Sequence, residues 1–344
     1  MISSSSFLDQ VTTVVPVSVL LVLVLPVLVL LVLALTKLFS GSGHQGAEEA
    51  RAVLVTGCDS GFGRQLALCL DRRGFLVFAG CLSPDGAGAR GLLEQSSGTL
   101  KVLKLDVTKE DDLRQAKSAV LEHLPEKGLW AVVNNAGISD WAEIEWSSTQ
   151  DFCNMLDVNL LGSIRTSITF LPLVRQARGR MVFVSSIFSF FHCLNMSAYS
   201  VSKRGLEAFA DCLRVEMASF GVKVSIIQPG NFGRATSILK EKSAADIWEK
   251  LDLEQRRSFN RQYVELAVDY YKSTCRSGFQ EPDMVIDAML HAITASRPQS
   301  RYLLASRVDW LFFRLFPFLP TVLSDAFFSL SSMYSKRKQL LYAQ

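Results

Sequence analysis

The chain has no CxxC pair: its seven cysteines, Cys58, Cys69, Cys81, Cys153, Cys193, Cys212 and Cys275, are odd in number and scattered. That spacing argues against a disulfide framework and against a zinc site, and reads as reduced thiols facing a reducing compartment. A strong charge of one sign is missing as well, because 36 Lys and Arg against 33 Asp and Glu leave a net +3. With no basic run carrying interleaved aromatics, nucleic acid is set aside as a partner. The N-terminus has no Lys or Arg before Lys37. It therefore lacks both the basic start of a secretory signal and the Arg-rich, amphipathic character of a mitochondrial transit peptide.

What stands at that N-terminus is an uncharged run of mostly Val and Leu over residues 11–36. At about 1.5 Å per residue it reaches about 39 Å, enough to cross a hydrocarbon core of about 30 Å with tilt. Pro16 and Pro26 are tolerated in such a helix. Residues 1–38 are therefore expected to form an uncleaved transmembrane anchor. Lys37 follows the span while only Asp9 precedes it, which favours a cytosolic C-terminal side. A flexible linker over residues 39–50, containing SGSGHQG, leads to the folded part. At 344 residues and 49% hydrophobic, the chain can bury a full core.

Short apolar runs at 52–55, 75–79, 100–105, 130–133, 181–184 and 222–227 alternate with helical stretches at 64–73, 110–124, 150–174 and 199–220. This alternation predicts an α/β fold with a doubly wound parallel sheet. A helix over 281–296 and a last edge strand over 301–304 complete a domain over 51–305. Ligands of such sheets sit on the loops after the strands' carboxyl ends. After the first strand comes Thr56-Gly57-Cys58-Asp59-Ser60-Gly61-Phe62-Gly63. Its glycines let backbone amides close on a dinucleotide pyrophosphate at a helix N-terminus. Asp106 follows the third strand, where its carboxylate can meet an adenine amino group. Asn134-Asn135-Ala136-Gly137 follows the fourth and Pro229-Gly230 the sixth. The plainer readings are that Asp106 caps a helix and that NNAG is an ordinary turn.

Tyr199 and Lys203 stand four residues apart and share one face of a helix. An ammonium held beside a phenol favours the phenolate, lowering its pKa from about 10 and making the tyrosine a proton-transfer group. Ser186 lies just beyond the apolar run at 181–184, where a strand end aims its hydroxyl at the same spot.

In their order along the chain, TGCDSGFG, NNAG, Asn159, Ser186, YSVSK and PG resemble the short-chain dehydrogenase/reductase family over residues 52–304. The resemblance implies a Rossmann-type fold and a nicotinamide-dependent alcohol dehydrogenase. It implies that Tyr199 transfers the proton and that Lys203 tunes it and holds the nicotinamide ribose. Ser186 would orient the substrate oxygen, and Asn159 would support a water relay. Gly57, Asp59, Ser60, Gly61, Phe62 and Gly63 would line the cofactor, with Asp106, Asn134, Ala136, Gly137, Pro229 and Gly230 from the later loops. Stretches such as DRRGF, FADCLRVEM and PGNFGRATS are most similar to the branch of D-β-hydroxybutyrate dehydrogenase, retinol dehydrogenases and membrane-bound hydroxysteroid dehydrogenases.

The loop between Ser186 and Tyr199 reads IFSFFHCLNM, whereas hydroxybutyrate dehydrogenases carry arginines there. An apolar wall leaves a buried carboxylate unpaired, at a cost of several kcal/mol. A lipophilic alcohol or ketone, of hydroxysteroid or retinol type, is therefore expected to meet Ser186, Phe188, Phe190, His192 and Phe232. The alternatives are 3-hydroxybutyrate, with Arg234 on its carboxylate, and a catalytically silent dinucleotide-binding scaffold. NAD is expected over NADP, because Gly80, Cys81 and Leu82 supply no cation for a 2′-phosphate and Asp59 would repel one.

By analogy with the family, residues 231–276 cover the substrate. Residues 306–344 are apolar but broken by Arg314, Pro317, Pro320 and Asp325. They suit an interfacial helix helped by Lys336, Arg337 and Lys338, or an element packed on the domain or on a second subunit of a homodimer or homotetramer. The expected setting is the endoplasmic reticulum membrane with a cytosolic catalytic domain; the mitochondrial inner membrane is the alternative.

Overall fold

In the computed structural model, which describes residues 51–236, 238, 239 and 241–342, seven strands form one sheet. They are β1 (Ala52–Thr56), β2 (Leu76–Cys81), β3 (Lys101–Lys104), β4 (Leu129–Asn134), β5 (Arg180–Val184), β6 (Lys223–Pro229) and β7 (Arg301–Leu304). Their order is β3-β2-β1-β4-β5-β6-β7, and each neighbouring pair is parallel. The central strands are apolar on successive residues because both sheet faces are covered. On β1, Val53 and Val55 join the core under α1 (Gly61–Asp71) and α10 (Asp283–Thr294). Ala52 and Leu54 join the opposite core, under α3 (Glu110–Leu121), α5 (Ser163–Gln176) and α6 (Ser197–Met217). The order reverses between β1 and β4, so the crevice at their carboxyl ends is the topological switch point where such sheets bind ligands. A short helix missed in the sequence, α2 (Ala87–Gln95), follows β2.

The single helix expected over 150–174 is interrupted. It runs as α4 (Thr149–Leu156), a π-helical turn (Asp157–Gly162) and then α5. Crowding accompanies the irregularity: a Cβ on Gly162 would lie 2.6 Å from Val107 Cγ2, in the loop after β3. Such π turns gather at functional sites, and this one carries Asn159.

The segment over 231–276 contains α7 (Ala244–Lys250), α8 (Leu253–Ser258) and α9 (Arg261–Arg276). Ser243, Asp252 and Asn260 cap their N-termini with side-chain oxygens, which makes such short helices viable. They form a third apolar cluster that includes Trp141, Tyr199 and Tyr263.

The C-terminal stretch forms α11 (Arg307–Leu315), α12 (Thr321–Ser329) and α13 (Ser332–Tyr342). It folds back on the domain. Met333 is buried in the third cluster, and Asn260 Nδ2 donates to Leu340 O at 2.6 Å. Arg337 Nε lies 3.0 Å from Tyr263 Oη and 3.3 Å from Glu143 Oε1. The anchor over 1–38 and the linker up to residue 50 lie outside the described residues. Among the described residues no helix is long and apolar enough to cross a membrane.

Candidate active site

β5 is buried along its length and runs into a 3-10 turn, Ile187–Ser189, capped by Ser186. The Ser186 hydroxyl accepts from Phe188 N at 3.3 Å and lies within donating distance, 3.4 Å, of Pro229 O. It also acts on the phenol of Tyr199, whose pKa burial raises and this hydroxyl lowers. One turn further along α6, Lys203 Nζ donates to Val184 O at 2.9 Å and lies 5.5 Å from the Tyr199 ring centroid. Three strand and helix ends thus bring Ser186, Tyr199 and Lys203 together, all nearly sealed from solvent.

The expected lowering of the tyrosine pKa is not what this geometry produces. Burial pushes Tyr199 up to about 12, opposed by the Ser186 hydroxyl. Lys203 is pulled down to about 8 by the same loss of water, opposed by the charge of Glu207. Desolvation outweighs the pair's mutual help because both groups are buried and the ammonium is turned to the Val184 carbonyl.

Asn159, on the π turn, is fully buried. Its Oδ1 accepts from Ile138 N at 2.8 Å, and its Nδ2 donates to Ile138 O at 2.9 Å and to Ser202 Oγ at 3.0 Å. It therefore clamps the loop after β4 to α6. A side chain on Gly137 would meet Asn159 Oδ1 at 3.2 Å and Lys203 Nζ at 3.6 Å, so the glycine leaves room beside both groups.

At the switch point Gly57 adopts φ +70°, and a Cβ there would come within 2.8 Å of Ala136 Cα. Gly63 is closer still, its notional Cβ lying 2.3 Å from Gly57 O. These contacts hold the start of α1 against the loop, and no acidic residue occupies the helix's first turn. The backbone amides of that turn suit a pyrophosphate. Thr236 Oγ1 lies 3.9 Å from where a side chain on Gly61 would begin, which puts an unforeseen hydroxyl at the mouth.

The residue stitching this loop is Asn135. Its Nδ2 donates to Thr56 O at 2.9 Å and to Gly57 O at 3.1 Å. Thr56 Oγ1 in turn accepts from Asn135 N and Ala136 N at 3.0 and 2.9 Å. Asn134, the asparagine singled out in the sequence, points the other way, its amide 3.4 Å from Ser167 Oγ inside the domain. Alternation along β4 separates the two, and that period was the signal available.

Asp59 does not cap α1. Its carboxylate accepts from Leu82 N at 2.8 Å and Ser83 N at 3.0 Å, at the end of β2. Asp106 Oδ1 accepts from Thr108 N and Oγ1 at 2.9 and 2.7 Å in the turn after β3. Phe62, beside Ser60 at the start of α1, meets Phe232 edge to face at 6.0 Å. Gly230 N, just past Pro229, donates to Leu304 O at 2.8 Å. The glycine loop, its amides and the buried lysine fit a nicotinamide dinucleotide.

Of the expected wall residues, Phe188 meets the tyrosine, edge to face at 6.0 Å. Phe190 packs on Phe313 at 6.5 Å. Phe191 meets Phe316 at 4.9 Å, and His192 meets Phe328 at 5.0 Å. Phe232 is buried with Phe62 and stacks on Phe279. The expected wall is therefore divided, because the C-terminal helices offer Phe190, Phe191 and His192 a ring surface of their own. Tyr199 belongs to the buried apolar cluster that also contains Trp141, Met155, Met196, Tyr263 and Met333. Nearby cations are partnered: Lys242 with Asp140 at 2.6 Å, Arg337 with Glu143, and Arg234 with Gln280 at 2.5 Å.

A family profile described as short chain dehydrogenase matches residues 51–246. The chain is 41% identical over 287 residues to mitochondrial D-beta-hydroxybutyrate dehydrogenase of Rattus norvegicus, across 81% of this chain and 84% of that protein. It is 40% identical over 286 residues to retinol dehydrogenase 7 of Mus musculus, across 82% and 88%. Against 17-beta-hydroxysteroid dehydrogenase type 6 of Homo sapiens it is 40% identical over 279 residues, across 79% and 86%.

Proposed function

Since the chain belongs to the short-chain dehydrogenase/reductase family and is an oxidoreductase acting on CH–OH groups, we propose that its substrate is a lipophilic alcohol or ketone of retinol or hydroxysteroid type, that its cofactor is NAD and that a membrane holds it. The observation that carries the substrate reading is that Tyr199 belongs to a buried apolar cluster and meets Phe188 edge to face. Two cations that lie over aromatic rings of that cluster, Lys242 over Trp141 and Arg337 over Tyr263, are already paired with Asp140 and Glu143. A carboxylate bound in that cluster would find Lys242 and Arg337 already neutralised.

When bound, the nicotinamide takes or gives the hydride. The chain supplies position and proton. Ser186, pinned between Phe188 N and Pro229 O, orients the substrate oxygen. Tyr199, whose pKa burial pushes up to about 12, gives its proton to a carbonyl oxygen in reduction, and in oxidation its phenolate takes the proton of the hydroxyl. Lys203 offsets the negative charge that then develops on the phenol.

NAD is favoured because the Asp59 carboxylate sits on Leu82 N and Ser83 N at the end of β2, the place where a 2′-phosphate needs a cation. A panel of retinol, hydroxysteroids and 3-hydroxybutyrate, each assayed with NAD and NADP, tests both halves. The expected result is kcat/KM higher by about 10²-fold for a lipophile, since the carboxylate loses several kcal/mol here, and a lower KM for NAD. Preference for 3-hydroxybutyrate reverses the substrate reading, and a lower KM for NADP reverses the cofactor. No NADH from any alcohol would revive the silent scaffold.

Membrane attachment is supported by the apolar run at 11–36 and by the outer face of the C-terminal helices. Val308, Val322 and Leu330 are about four-fifths exposed there, and Lys336 and Lys338 are exposed on the last of these helices. The reduced cysteines and Lys37 favour an endoplasmic reticulum anchor with the domain in the cytosol; the mitochondrial inner membrane is the competing site. Protease added to intact microsomes should digest the domain without detergent, and protection until detergent is added would sink that orientation. Asn195-Met196-Ser197 fits the glycosylation sequon, but Asn195 Oδ1 is buried in the fold, which makes it a poor reporter of a lumenal domain.

A further inference from the structure

Glu207 is a buried carboxylate that the proton transfer itself does not use. It lies on α6 one turn past Lys203 and is 8% exposed. Its Oε1 accepts from Ser185 Oγ at 2.8 Å, from Ser189 Oγ at 2.5 Å and from Gln228 Nε2 at 2.9 Å. Its Oε2 lies 3.1 Å from the same amide and 3.5 Å from Arg301 Nε. A carboxylate this far from water needs such partners, and here they come from the end of β5, the 3-10 turn, β6 and β7. Ser185 and Ser189 flank Ser186 on either side. Gln228 precedes Pro229, whose carbonyl lies 3.4 Å from Ser186 Oγ.

We propose that Glu207 is a positioning residue, whose carboxylate fixes the turn carrying Ser186 and so the hydroxyl that orients the substrate oxygen. This rests on the reading that Ser186, Tyr199 and Lys203 perform the chemistry. The same carboxylate acts on Lys203, opposing the burial that lowers its pKa to about 8. The other charged groups around Glu207 are Arg301 on β7 and Asp211 on α6, which pair with each other, and Arg204, which is turned to Ser189 O at 3.1 Å. Its partners on the β5 end, the 3-10 turn and β6 are uncharged. Removing the Glu207 charge therefore lets Lys203 lose its proton at a lower pH.

The test is Glu207→Gln in the full chain, which removes the charge at nearly equal size. The expected kcat falls about 10- to 100-fold, as for a slightly misplaced reacting group, while KM for NAD changes less than about threefold. The basic limb of the kcat profile should move to lower pH, and Glu207→Asp should move it back. Wild-type kcat with an unmoved limb overturns the proposal, as does a parallel loss of NAD binding and kcat with an unmoved limb. Should Glu207→Gln fail to fold, Ser185→Ala with Ser189→Ala removes two contacts and keeps the charge. A kcat loss in that double variant supports positioning, and wild-type kcat overturns it. Tyr199→Phe in the same assay separates the two levels: if it is active, the underlying reading fails; if it is inactive beside a wild-type Glu207→Gln, only the role of Glu207 fails.

Discussion

Tyr199→Phe should lower kcat by at least about 10²-fold, the loss expected when a general acid/base is removed, while NAD binding stays nearly unchanged. The substitution takes away one oxygen. The ring keeps its place against Phe188, and Lys203 keeps its bond to Val184 O. Burial pushes the pKa of the phenol up to about 12, and the Lys203 ammonium lies 5.5 Å from its ring centroid. Lys203→Ala should damage both turnover and cofactor binding, since its ammonium is the buried cation next to the tyrosine and facing Gly137. Steady-state kinetics with an NADH fluorescence titration separates these effects. A Phe variant retaining more than about a tenth of wild-type turnover would show that Tyr199 is not the proton-transfer group.

Gly63→Ala should weaken NAD binding about 5- to 150-fold, from about 1–3 kcal/mol of overpacking at a site that must stay closed. The added methyl would stand 2.3 Å from Gly57 O and 2.5 Å from Asn135 Nδ2. Either α1 retreats from the loop, moving the amides meant for the pyrophosphate, or Asn135 gives up its bonds to Thr56 O and Gly57 O. Both outcomes strike the cofactor site before the catalytic groups, so KM for NAD should rise more than kcat falls. An unchanged affinity would mean that this loop does not hold the dinucleotide.

Much of the architecture was legible because it follows from local rules. Apolar runs such as Ala52–Thr56 can only be strands covered on both faces, and their alternation with helices leads to a parallel sheet. The spacing of Tyr199 and Lys203 places them on one helical face wherever that helix goes. The glycines after β1 belong to a strand-to-helix turn for the same local reason. The long helix expected over 150–174 is broken by a π turn packed closely on Val107, a residue from another loop.

By itself, then, the sequence determined the parallel sheet, the glycine loop and the tyrosine, lysine and serine of the site, since each depends on neighbours a few residues away. Only the tertiary structure decided that Asn135 rather than Asn134 stitches the loop, that Asp59 reaches the end of β2, and that Glu207 gathers Ser185, Ser189 and Gln228. It likewise sent Phe191 to Phe316 and Phe328 and left Phe188 with Tyr199. It also set the direction of both pKa shifts, which follows from burial by segments distant in the chain. The reason is physical: periodicity says which face a side chain takes, whereas its partner and its loss of water depend on what the rest of the fold brings to that face.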